Sequence, residues 1–229
     1  MNSHMELGRV AGIPIYLDML FVALLVLFGY PYFATGDPQA MSVGLLFIAG
    51  LLLSILLHEF GHAIAARLFG VRTREIELTG LGGVARFANA LPRSALKQAV
   101  IFLAGPAVNL ALWLGLEQAT IYSFGLGKPF VLETLLTLGA ANMWLLFFNL
   151  LPAFPLDGGR TLEALAGPMT GAAWAIRIVA ILGLVCAAGC VWLAIAGGSP
   201  RLGLLLLAFV LYQNNWTALQ SVGGLRGGR

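Results

Sequence analysis

Six stretches of twenty or more residues run through this chain with almost no charge, near 14–33, 42–69, 97–124, 132–151, 172–196 and 202–221. A helix of that length crosses the roughly 30 Å apolar core of a bilayer. Lipid offers no partners to backbone polar groups, so each stretch must close its hydrogen bonds within itself. The predicted fold class is therefore an all-α polytopic membrane protein with about six transmembrane helices, and the bilayer is its first partner. Composition agrees, since 59% of the 229 residues are hydrophobic and only 10% are charged, against about 25% charged in soluble domains. The formal charge of +3 comes from scattered residues, with no cluster of Lys and Arg interleaved with aromatics, which excludes nucleic acid as a partner. Cys186 and Cys190, four apart in an apolar run, read as small buried hydrophobes.

Loop charges orient the expected bundle. The connection after the second span carries Arg67, Arg72, Arg74, Arg86, Arg93 and Lys97 against Glu75 and Glu77, while the connection before that span holds only Asp37. Cytoplasmic loops are enriched in Lys and Arg. Residues 70–96 are therefore expected in the cytoplasm, together with both termini, where Arg9, Arg226 and Arg229 lie; Arg201 is the one dissenting charge. Within this connection "IELTG" and "GVARF" alternate weakly around Gly80, Gly82 and Gly83. That pattern predicts a small β-hairpin near 75–90 that dips into the membrane interface. The spans are expected to form a single membrane domain over residues 1–229, with no PDZ or CBS domain expected.

The second span contains "LLHEFGH", with His58, Glu59 and His62 where lipid-facing residues would otherwise stand. Ionisable groups at such depth cost at least about 2.5–3.5 kcal/mol each and mark function. Residues four apart share one helix face, so His58 and His62 can both reach one ion, with Glu59 one step round from His58. This is the H-E-x-x-H arrangement, in which two imidazoles bind one zinc ion and the carboxylate serves as general base. A catalytic zinc takes a third protein ligand and keeps an open position. Besides His4 the chain has no further histidine, which leaves carboxylates. Glu117 and Glu133 fall near the opposite membrane boundary, Glu75 and Glu77 lie in the glycine-rich connection, and Asp157 follows Pro152 and Pro155 within "NLLPAFPLDGGR". The prolines stop the fourth span, and Gly158 and Gly159 permit a tight turn that would hold Asp157 on irregular backbone.

"HEFGH" in one span, "AGPAVNLAL" at 104–112 in the next and "NLLPAFPLDGG" at the end of another resemble, in order, the motifs of the site-2 protease family of intramembrane zinc metalloproteases. The resemblance covers nearly the whole chain. It implies one Zn2+ held by His58, His62 and Asp157, Glu59 as catalytic base, and a supporting polar role for Asn109, for which an oxyanion donor is the expectation. It also implies that substrate engages the hairpin at Gly82, Gly83 and Val84, and Asn149. The partners would be transmembrane protein substrates, cut within or near their helices in regulated intramembrane proteolysis. A prokaryotic cell membrane is the expected location, with the active site opening to the cytoplasm, and a homo-oligomer is compatible with such a chain. Three alternatives stand beside it. A protease of the kind that trims prenylated proteins would use a downstream glutamate such as Glu163 as third ligand. A membrane metal-ion carrier would use the ligands without hydrolysis, and an inactive scaffold would only bind membrane helices.

Overall fold

The computed structural model describes residues 4–80, 82–125, 127–196 and 201–223. Arg226 and Arg229, used above for orientation, lie outside them. Among the described residues the order is β1 (His4–Val10), β2 (Ile13–Asp18), α1 (Met19–Phe33), α2 (Pro38–Leu68), β3 (Thr73–Thr79), β4 (Gly82–Phe87), α3 (Ala95–Phe124), α4 (Pro129–Asn149), α5 (Asp157–Thr170), α6 (Ala172–Ile195) and α7 (Leu202–Gly223). Five of these helices, α2, α3, α4, α6 and α7, are long and apolar enough to cross a membrane. The protein is an integral multi-pass membrane protein of mainly helical fold. The chain divides into two compact units, residues 1–91 with 104–146, and residues 92–103 with 147–229.

The first unit holds a four-stranded sheet in the order β1-β2-β3-β4. The expected hairpin is present as β3 and β4, paired antiparallel from Thr73↔Phe87 to Thr79↔Gly82. It is extended by β2, which runs parallel to β3, and by β1, which joins β2 through Ala11 and Gly12, both at positive φ. A two-residue turn with left-handed φ at both positions matches the twist of the strands it joins. Residues 14–18 thus belong to a strand and not to the start of the first span. "IPIYLD" alternates with the period of a strand, and Asp18 then caps α1 by accepting from the Leu20 N–H at 3.1 Å. The remaining helix has 15 residues, about 22 Å at 1.5 Å per residue.

Ile15 and Leu17 of β2 and Ile76 and Leu78 of β3 point one way and bury against Phe21 of α1 and Phe47, Leu51 and Ile55 of α2. Close packing of these side chains, carried by dispersion, seats the sheet on the helix that carries His58. The opposite side of β3 is polar. Glu77 accepts a 2.7 Å ion-pair hydrogen bond from Arg86 on β4, and that bond holds the Arg86 guanidinium above its ordinary pKa.

In the second unit α6 and α7 pack through small side chains, with Ala187 and Cys190 of α6 and Ala208 and Leu211 of α7 buried around Ala153. Small residues let membrane helices approach closely, and dispersion between them replaces the missing hydrophobic drive. Cys186 and Cys190 are free thiols here, as their spacing implies. Residues 150–156 are non-helical. Contrary to expectation, Asp157 is not on irregular backbone but is the first residue of α5, and Gly158 and Gly159 are helical. A Cβ on Gly158 would lie 2.6 Å from the carbonyl oxygen of Leu151, so close packing on the preceding turn, not turn flexibility, requires glycine there.

Candidate metal centre

α2 presents His58, Glu59 and His62 to the interior of the first unit, with 6%, 4% and 6% of their surfaces exposed. The helix pitch stacks the two imidazoles edge to face, with centroids 4.8 Å apart, and brings their Nε2 atoms to 3.1 Å. Two nitrogen ligands at the 2.0–2.1 Å distance of a tetrahedral zinc site would be about 3.3 Å apart. The spacing therefore suits an ion lying between them.

The far nitrogen of His58 is occupied. Its Nδ1 pairs with Oδ1 of Asn109 on α3. An amide oxygen only accepts, so Nδ1 must carry the proton and Nε2 must present its lone pair. Asn109 in turn donates to Oδ1 of Asn142 on α4 at 3.0 Å. Asn142 donates at 3.0 Å to Oγ of Ser54, one helical turn before His58, and at 2.9 Å to the carbonyl of Leu138. Asn109 and Asn142 are fully buried. This chain of amides runs from α3 through α4 back to α2, so the helices that carry it also fix the ring it ends on. Metal-bound histidines characteristically donate their second N–H to such a partner, which sets tautomer and orientation. Sequence reasoning singled out Asn109 but missed Asn142 and Ser54. Polar residues inside otherwise apolar spans were the available signal.

Two glycines clear the ground. A Cβ on Gly105 of α3 would fall 2.6 Å from His58 Nε2, so the "AGP" stretch leaves the imidazoles their room. A Cβ on Gly83 of β4 would stand 2.6 Å from Cδ of Glu59, so the strand passes directly over the carboxylate. Gly82 and Val84 flank Gly83 in the terminal strand of the sheet, opposite Thr79 and Glu77. The structure thus gathers His58, Glu59, His62, Asn109 and the hairpin residues in the first unit. Asn149 ends α4 and Asp157 opens α5, both in the second unit.

Asp157 lies in the first turn of its helix, and a carboxyl group ligates a metal in its deprotonated form. The first unit thus offers two imidazole nitrogens, from His58 and His62, and the second offers the carboxylate of Asp157. Two imidazoles and one carboxylate suit zinc. Glu163, the ligand of the prenyl-protease alternative, lies further along α5, and burial pushes its carboxyl up against the opposing effect of Arg160.

The family model for Peptidase family M50 matches residues 46–133. A putative zinc metalloprotease of Synechocystis is 33% identical, aligned over 97% of this chain and 60% of its own length. A zinc metalloprotease of Methanocaldococcus jannaschii is 33% identical over 80% of this chain and 51% of its own. The putative zinc metalloprotease Rip2 of Mycolicibacterium smegmatis is 32% identical over 62% of this chain and 68% of its own. The chain thus spans between about half and three-fifths of the length of the first two relatives. The solved structure of a site-2 protease from Methanocaldococcus jannaschii superposes with a TM-score of 0.69 at 26% identity, covering 94% of this chain and 95% of that one. On motif order, sequence similarity and fold together, the chain belongs to Peptidase family M50, the site-2 proteases.

Proposed function

We propose that this chain is an intramembrane zinc metalloprotease that hydrolyses peptide bonds within or near transmembrane helices of other membrane proteins. The observation that carries the reading is the convergence of the His58 and His62 Nε2 atoms at 3.1 Å, with the His58 Nδ1 already taken by Asn109, beside the buried Glu59. His58, His62 and Asp157 would hold the ion. Zinc, when bound, supplies a Lewis acid for the scissile carbonyl and acidifies water towards neutrality.

The remaining work belongs to the chain's own residues. Glu59 accepts a proton from the attacking water on its carboxylate and returns it to the leaving amine nitrogen. Asn109 orients His58, because its oxygen is engaged by the ring and its amide group donates to Asn142. That is a different role from the oxyanion donor expected from the sequence. The 75–90 hairpin engages the substrate. A transmembrane helix must unwind before attack, and β4, as the end strand of the sheet lying over Glu59, has an edge suited to strand addition. Gly82, Gly83 and Val84 would lie along the captured segment, with Asn149 near it. The two units act as a single protease domain, and the arginines of residues 67–93 support a cytoplasmic opening.

The test compares wild type with Glu59→Gln in bilayer discs containing a tethered transmembrane substrate, measuring bound zinc and cleavage on the same preparations. Zinc near one per chain in both, with cleavage reduced about 10²–10⁴-fold in Glu59→Gln, is the expected outcome. Equal cleavage by the two forms would remove Glu59 from the chemistry. Zinc binding without cleavage by either would favour a carrier or scaffold.

A further inference from the structure

Asn215 sits in the middle of α7 with none of its surface exposed. Its Oδ1 accepts from the N–H of Phe154 at 3.0 Å, and its Nδ2 donates to the carbonyl of the same residue at 2.8 Å. The second N–H of that amide donates to the carbonyl of Leu211 at 2.7 Å. One side chain therefore pairs both polar groups of a single peptide residue, as a neighbouring strand does in a hydrogen-bonded pair. α6 makes room for it, since a Cβ on Gly183 would stand 2.5 Å from Asn215 Nδ2.

Phe154 belongs to the non-helical segment 150–156 and lies three residues before Asp157. Non-helical backbone at membrane depth must find its hydrogen bonds inside the protein. The bonds from Ala153 N–H to Leu151 and from Leu156 N–H to Ala153 shape the segment locally but tie it to no other helix. Asn215 does tie it, across 61 residues of sequence. Packing of α6 on α7 is carried by Ala187, Cys190, Ala208 and Leu211, none of which needs an amide at 215.

We propose that Asn215 is a positioning residue for the third metal ligand. By clamping the backbone of Phe154 it fixes where α5 begins, and with it the carboxylate of Asp157. This rests on the reading of Asp157 as a zinc ligand.

The experiment is a double-mutant cycle on the full chain in detergent, with zinc affinity read by competition against a chromogenic chelator. The variants are Asn215→Leu, Asp157→Ala and the pair. Asn215→Leu is expected to weaken zinc binding about 10–100-fold when Asp157 is present, the usual effect of losing a residue that orients a ligand. In the Asp157→Ala background it should change affinity less than about 2-fold, because the ligand it positions is gone. A merely structural role predicts equal loss in both backgrounds, and that result, or no loss in either, would overturn the inference. If Asp157→Ala itself leaves zinc affinity unchanged, the ligand assignment fails instead. Should Asn215→Leu not fold, the cycle is run with Asn215→Ala under the same criteria.

Discussion

His58 and His62 stand on one unbroken helix of 31 residues, whereas Asp157 opens a helix of 14 residues that follows a non-helical segment. The histidine pair needs only the α-helical pitch to bring its nitrogens together, and the amide chain from Asn109 to Ser54 then sets the ring of His58. The aspartate has no such local guarantee. Its place depends on Pro152 and Pro155 ending a helix, on glycines packed against the preceding turn, and on an asparagine from α7. Secondary structure can supply two ligands from five residues of sequence. A third ligand from elsewhere needs tertiary contacts, each of which can be broken separately.

The largest effect should come from the pair itself. His62→Ala leaves one imidazole where a zinc site needs two, so bound zinc should fall to background and cleavage should be abolished, as read by metal analysis and substrate cleavage. Survival of stoichiometric zinc in this variant would show that the helix pitch does not build the site. Gly105→Val is expected to be nearly as severe, because even a Cβ would stand 2.6 Å from His58 Nε2. Zinc affinity should drop by more than about 10-fold, and the metal-free protein should also melt lower because overpacking costs about 1–3 kcal/mol. Asn142→Leu tests the buried amides one step behind the ligand. It leaves Asn109 to hold His58 alone, and a loss of about 3–10-fold in zinc affinity is expected, below the roughly 10–100-fold typical of a ligand's direct partner because Asn142 acts one step further out. An effect as large as that of Asn109→Leu would mean that the two amides act as one unit. The smallest effect should be Arg86→Ala on the outer face of the sheet. Its ion pair with Glu77 leaves the guanidinium about half exposed, and such pairs contribute about 0–1 kcal/mol. Zinc affinity should not move.

The same contrast explains how much could be read from sequence. The apolar spans, the histidine pair and Glu59 were legible because their signals are local: span length, and a fixed spacing on one helix. The hairpin was legible from "IELTG" and "GVARF", but its extension to four strands was not. "IPIYLD" runs into the apolar residues of α1 and reads as part of a span until the capping bond of Asp18 is seen. α5 was missed because "DGGRTLEALAGPMT" opens on residues that ordinarily make a turn and is too short and polar to register as a span. Asn142 and Asn215 were missed for a further reason. Each is an ordinary asparagine in an apolar helix, and its meaning lies in partners 33, 88 and 61 residues away. Asn109 was singled out, but its bond to His58 was not legible, since nothing local says that its oxygen faces Nδ1 of that ring.

X-ray absorption at the zinc edge on the purified full chain tests the metal centre most directly. The site described here predicts one zinc per chain, with two imidazole nitrogens at about 2.0–2.1 Å, oxygen in the remaining positions and no sulfur. Asp157→Ala should lower the oxygen contribution while the two imidazoles remain. A sulfur shell near 2.3 Å, or a spectrum with fewer than two imidazoles, would contradict it.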